Sequence, residues 1–106
     1  MTYEELVTNV KKAVKKAKIS KTVGHVAFQF NVEGEAEGAF YLEIADGKIN
    51  VEPYEYYDRN LLVVTSAEVI IQMAEGKVKP REAYAQELLK AYGDVELLSV
   101  LPLGLK

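Results

Sequence analysis

Cysteine is absent from this chain of 106 residues, and histidine occurs once, at His25. Without cysteine there are no disulfides, thiol nucleophiles or thiolate metal sites, which suits a reducing cytoplasm. One histidine cannot make a histidine-rich metal set, and His25 falls on the strand face opposite Phe28 and Phe30, the face expected to meet water. No segment has the form of a nucleophile elbow or a phosphate-binding loop. Long apolar runs are missing too: none approaches the ~20 residues that cross a bilayer. The opening MTYEEL carries acid where a signal peptide carries an apolar core. The sequence therefore points away from catalysis, and no metal or cofactor is expected. A cytoplasmic protein is the expectation.

The net charge is small, -3, and unevenly placed. Residues 1–22 hold six lysines against Glu4 and Glu5, while the rest of the chain holds seven basic and fourteen acidic residues. A basic arm on an acidic body suits nucleic acid poorly, because nucleic-acid binders carry positive charge over most of the contact. On a helix these lysines read as a solvated face, with an anionic membrane surface as the alternative contact.

Apolar residues make up 49% of the chain and charged residues 27%, enough to pack a core. At this length the chain reads as one domain over residues 1–106, burying about two-thirds of its unfolded surface. Thr2-Tyr3-Glu4-Glu5 reads as a capping box. Leu6, Val10, Ala13, Val14 and Ala17 then recur at helical spacing and predict a helix of about four turns. From Val23 the period becomes two: Val26, Phe28 and Phe30 alternate with Ala27, Gln29 and Asn31. EGEAEG, residues 33–38, reads as a solvated acidic hairpin tip without the ligand spacing of a calcium loop. Phe40, Leu42 and Ile44 mark a second strand, Asp46-Gly47 a tight turn, and Ile49 and Val51 a third strand. YEYYD, residues 54–58, is an aromatic loop that rims a pocket or covers a core edge. Residues 61–65 form a fourth strand, apolar on both faces.

Ser66 caps a helix over residues 67–74, which Gly76 closes. Lys79-Pro80 starts a second short helix. Propensity predicts helix again over residues 86–92, Gly93-Asp94 breaks it, and an apolar run over residues 95–101 closes the chain. The segments VGHVAFQFNV (23–32), AFYLEIADGK (39–48), LLVVTSAEVIIQMAEGKVKP (61–80) and AYAQELLKAYGDVELLSVL (83–101) follow in an uncommon order. In that order and spacing the chain resembles the sterol carrier protein 2 (SCP2) family of lipid-transfer domains. The most specific element is GKVKP (76–80) followed by Gly93-Asp94.

The resemblance implies an α+β fold: a five-stranded, mostly antiparallel sheet, covered on one face by helices and enclosing an apolar tunnel. It also implies a strand, not a helix, over residues 87–92, and an apolar terminal helix. Asn60 stands where the family often has aspartate, Glu87 where it often has glycine, and Leu62 and Val64 where threonine-like residues are usual. The closing LGLK is not a peroxisomal address.

The implied function is non-catalytic binding, with transfer, of a fatty acid, phospholipid or sterol-like ligand. The implied walls are Phe28, Phe30, Phe40, Leu42 and Ile44, with Ile49, Val51, Leu61 and Val63, on the sheet. Ile70, Met73, Tyr84, Leu97, Leu98 and Leu101 face them from the helices. Met73 is the wall residue that yields most easily. The same residues also suit a fully packed core in a small interaction or dimerisation domain. Leu62 and Val64, with Ala27 and Tyr41 beside them, form an outer-face patch expected to pair two chains on a sheet otherwise open to water.

Overall fold

The computed structural model describes residues 1–17, 19 and 23–104. Lys18 and Lys21 of the basic arm, and Leu105 of the closing LGLK, lie outside the described residues. Thr2 starts the first helix, α1 (Tyr3–Val14), as its sequence predicts. The Glu5 N–H donates to the Thr2 hydroxyl at 3.1 Å, and the Thr2 N–H donates to the Glu5 carboxylate at 3.0 Å. These reciprocal bonds satisfy donors that a helix start leaves orphaned. Leu6, Val7, Val10 and Val14 form the buried stripe. The helix is one turn shorter than its apolar spacing suggests. Beyond Val14 the bonds tighten: the Ala17 N–H donates to the Val14 carbonyl at 3.1 Å.

Five strands follow: β1 (Val26–Glu33), β2 (Gly38–Ala45), β3 (Lys48–Glu52), β4 (Leu61–Ser66) and β5 (Lys90–Gly93). Their order is β3-β2-β1-β4-β5, with β1 and β4 parallel and every other pair antiparallel. β1 starts three residues later than the alternation from Val23 predicts. Asp46 and Gly47 turn β2 into β3 with φ of 54° and 76°, the left-handed pair that a two-residue hairpin requires. One sheet face is apolar except for Thr65 at the end of β4. Phe28 stands opposite Leu42 and Leu61, and Phe30 opposite Phe40 and Val63. The Phe30 and Phe40 rings stack at 4.9 Å, only 6° from parallel.

Two helices and a terminal segment cover that face with α1. Ser66 caps α2 (Ala67–Ala74) by accepting from the Val69 N–H at 3.3 Å, and Ile70 and Met73 turn inward. Pro80 opens α3 (Pro80–Ala85), where the Lys79 N–H donates to the Glu82 carboxylate at 3.0 Å.

Neither helix nor strand describes residues 86–89. α3 stops at Ala85, the Leu88 N–H donates back to the Ala83 carbonyl at 2.8 Å, and Glu87 takes φ of 62°. The buried Thr65 hydroxyl donates to the Leu88 carbonyl at 2.9 Å, tethering this turn to β4. Helix propensity is overruled by that tether, and the strand is confined to four residues. At its end Gly93 has φ of 119°, and a Cβ there would meet the Asn60 carbonyl at 2.6 Å. Asn60 accepts from the Asp94 N–H through that carbonyl and from the Ala27 N–H through Oδ1, at 3.1 and 2.9 Å. It laces β1, β4 and β5 together. The closing apolar run is a 3₁₀ helix (Val95–Val100) followed by extended Leu101, rather than a regular α-helix.

Candidate functional site

The side chains expected to line the interior are brought together with a single exception. Phe28, Phe30, Phe40, Leu42, Ile44, Ile70 and Met73 have no exposed surface, and Leu98 and Leu101 retain 2% and 1%. They belong to one contiguous apolar cluster. Val51, Leu61 and Val63 join it as buried members, while Ile49 and Leu97 are half-buried at its edge. Tyr84 does not: it is 42% exposed. α3 turns Pro80 and Ala83 inward, three residues apart, and the next position rotates past the core. Among the described residues every buried side-chain polar atom has a hydrogen-bond partner.

The terminal segment closes this interior by apolar contact. Leu98, Leu101 and Leu103 are almost fully buried, and Leu103 extends the buried run beyond the last wall position that the sequence indicated. Among the described residues the backbone bonds of this segment are local ones: Leu97 N–H to Asp94, Leu101 N–H to Leu98 and Leu103 N–H to Leu101. Gly104 then presses on the end of α2, where a Cβ would lie 2.6 Å from the Met73 carbonyl. Two clefts meet at Gly104. One, about 250 Å³, is walled by Val78, Pro80, Leu98, Leu101 and Leu103. The other, about 690 Å³, lies between α1 and α2 and carries Lys12, Lys15 and Lys16 above Ala13, Ile71 and Ala74. At Gly104 an apolar surface cleft thus adjoins one that carries three lysines and Glu75.

The sequence profile of the SCP-2 sterol transfer family matches residues 4–102 of this chain. The chain belongs to the SCP-2 sterol transfer family. No curated protein matches it. Among solved structures it is similar to the crystal structure of Sterol Carrier Protein 2 Like 2 from Aedes aegypti. That likeness has 16% identity and a TM-score of 0.65 over 93% of this chain and 92% of the other. The palmitated form of the same mosquito protein in solution aligns at 15% identity and a TM-score of 0.65, over 96% and 92%. A segment of the sec-alkylsulfatase Pisa1 from a Pseudomonas species is similar at 17% identity and a TM-score of 0.62. That match takes in 72% of this chain but only 12% of the sulfatase. The SCP-2 fold thus occurs both alone and within an enzyme.

On the outer sheet face of this SCP-2 domain lies a polar cluster that the sequence did not reveal. Residues 54–59 fold back over the sheet. The Tyr56 N–H and the Arg59 guanidinium donate to Gln29 Oε1 at 3.0 and 3.3 Å. Gln29, expected to be solvated, is therefore only 2% exposed. Tyr56 Oη donates to Glu43 Oε2 at 2.8 Å, His25 Nε2 lies 2.6 Å from the same oxygen, and the Tyr56 ring meets Tyr41 edge-on at 5.0 Å.

The bond from His25, reinforced by that from Tyr56, holds the Glu43 carboxyl below its ordinary value, and the bond to Glu43 raises the Tyr56 phenol. Strand parity places His25 and Glu43 on one face, but nothing in YEYYD shows where Tyr56 lands. The outer-face patch is reduced accordingly: Ala27 is buried, and Tyr41, Leu62 and Val64 are half-buried. Among the described residues no helix is long and apolar enough to cross a membrane, and no acid–histidine group could hold a metal.

Proposed function

We propose that this SCP-2 domain is a non-catalytic cytoplasmic carrier that holds one long-chain lipid, of the fatty-acid class, between its inner sheet face and its helices. The observation that carries the reading is the closing segment. Leu98, Leu101 and Leu103 cover the interior through apolar contact and local backbone bonds, so an acyl chain can replace their contacts without orphaning a buried polar group. The wall then consists of Phe28, Phe30, Phe40, Leu42 and Ile44 opposite Ile70, Met73, Leu98 and Leu101. The flexible thioether of Met73 yields first. Tyr84, being exposed, is left out of the wall. The lysines of the α1–α2 cleft suit the carboxylate.

Sixteen methylenes release about 13 kcal/mol on burial, at ~0.8 kcal/mol each. Micromolar binding corresponds to about 8 kcal/mol, and the difference covers lost freedom and the displacement of Leu98 and Leu101. The lysine face also suits transient contact with anionic membrane, at about 1 kcal/mol per lysine, screened by salt. Vesicle co-sedimentation indifferent to lipid charge and salt excludes that contact.

The polar cluster of His25, Glu43 and Tyr56 is accounted for by the loop it pins, which supports a carrier over a catalyst. The test is titration of delipidated protein with a fluorescent fatty acid. Micromolar binding is expected, lost in Met73→Arg and Leu98→Arg and kept in Lys77→Ala and Glu35→Ala, whose exposed side chains pair with Glu75 and with the Met1 amino group. A second reading rests on the full burial and close stacking of the sheet phenylalanines: a small interaction domain with a packed core. Folded, delipidated protein that takes up no fatty acid, phospholipid or sterol analogue decides for it.

A further inference from the structure

Strand β3 ends the sheet, paired with β2 on one side. We propose that its other edge pairs antiparallel with β3 of a second copy, about a two-fold axis at Asn50, joining two five-stranded sheets into one. Three features of the strand together select this register.

The first is the direction of its backbone groups. A two-residue turn joins β2 to β3, so the closing pair Ala45–Lys48 exchanges backbone hydrogen bonds. By alternation Asn50 and Glu52 also turn their amides toward β2, and Ile49 and Val51 turn theirs outward. Among the described residues no turn or loop bond reaches those two. A second β3 centred on Asn50 sets Ile49 against Val51 of the other copy, and Val51 against Ile49. Outward groups then meet outward groups in hydrogen-bonded pairs, and Asn50 meets its twin in a non-hydrogen-bonded pair.

The second feature is charge. The same register sets Lys48 opposite Glu52 twice, where opposite charges across strands are favourable and any unlike register loses the match. The third is length. The turn at Gly47 bounds one end and Pro53, which has no N–H, the other, so the overlap is greatest when centred on Asn50.

A cleft of about 570 Å³ between α1 and β3 follows the edge from Gly47 to Glu52. The sheet's opposite edge offers no such match. β5 has four residues, and its antiparallel self-pairing would set Lys90 against Gly93. Two terms keep the β3 pairing weak. Lys11 and Lys15 flank the cleft, so two copies bring four lysines near the seam. Five residues a side also bury well under the ~1,600 Å² of a standard interface, which points to a dissociation constant between about 10 µM and 1 mM.

The chain contains no cysteine, so single-cysteine variants report one site each. In the proposed pair the two Asn50 Cα atoms stand about 4.5 Å apart, inside the window of about 4.4–6.8 Å that a disulfide needs. Under mild oxidant the Asn50→Cys variant of the chain should form covalent dimer at least about tenfold faster than Tyr92→Cys, which is exposed on β5. Adding Lys48→Glu should slow the cross-link severalfold, and adding Glu52→Lys to that variant should restore it. Equal rates for Asn50→Cys and Tyr92→Cys, or faster linking through Tyr92→Cys, overturn the proposal. Linking that ignores both charge changes overturns the register. Sedimentation of the wild type as a monomer at about 1 mM, beyond the weakest affinity proposed, overturns the pairing and leaves the edge to a foreign strand or to none.

Discussion

Glu87 holds a backbone conformation, φ of 62°, that costs a residue with a side chain about 1–2 kcal/mol. Replacing it with glycine removes that cost and adds unfolded-state freedom, for a net gain of about 0.5–1 kcal/mol. A rise in denaturant midpoint without a change in slope checks this. Gly93→Ala should act in the opposite sense, losing at least about 2 kcal/mol, because φ of 119° and the Asn60 carbonyl both exclude a Cβ. Asn60 itself is a fastener. Asn60→Ala strands the buried Ala27 N–H and should cost about 1–3 kcal/mol, whereas Asn60→Asp keeps the acceptor and should be nearly neutral. These residues mark the limit of what single letters show. Gly93-Asp94 stood out in the sequence, yet its partner Asn60 lies 33 positions away and becomes visible only when β4 and β5 are side by side.

The elements that could be read from the sequence are those whose signal is local. The capping box of α1, the alternation of β1 and β2, the Asp46-Gly47 turn and the Ser66 cap each act within a few residues, and each is where its pattern puts it, save that β1 starts at Val26 and not Val23. β5 could not be read that way, because Thr65 and Asn60 make it from outside. The loop over residues 54–59 is another long-range product, and it makes a pH prediction. Glu43 titrates below its ordinary 4.5 in the folded state, so its bonds stabilise the folded chain above pH 4.5 and are lost as pH falls through the lowered value. Tyr56 titrates above its ordinary 10.0, so its contribution is intact below pH 10 and fades above. Amide exchange at Tyr56, whose N–H is held by Gln29, should therefore gain protection as pH rises from about 3 to 5, relative to the intrinsic rate. In Glu43→Gln that gain should disappear.

On the scale of the molecule, the apolar face of the sheet was legible because every second residue of β1 and β2 is large and greasy. The closing segment was legible as greasy but not in shape. Its 3₁₀ helix and the extended stretch after it carry Leu103 inside and bring Gly104 onto α2. Tyr84 is turned out because consecutive helical positions lie about 100° apart, and α3 spends its inward face on Pro80 and Ala83. The account rests on that interior admitting a lipid chain, and nuclear Overhauser contacts between unlabelled palmitate and the isotope-labelled, delipidated chain test it most directly. Contacts should run from the acyl protons to the Met73, Leu98 and Ile44 methyls and to the Phe30 and Phe40 rings. Contacts confined to exposed side chains such as Tyr84 and Tyr92, or none at saturating palmitate, would contradict it.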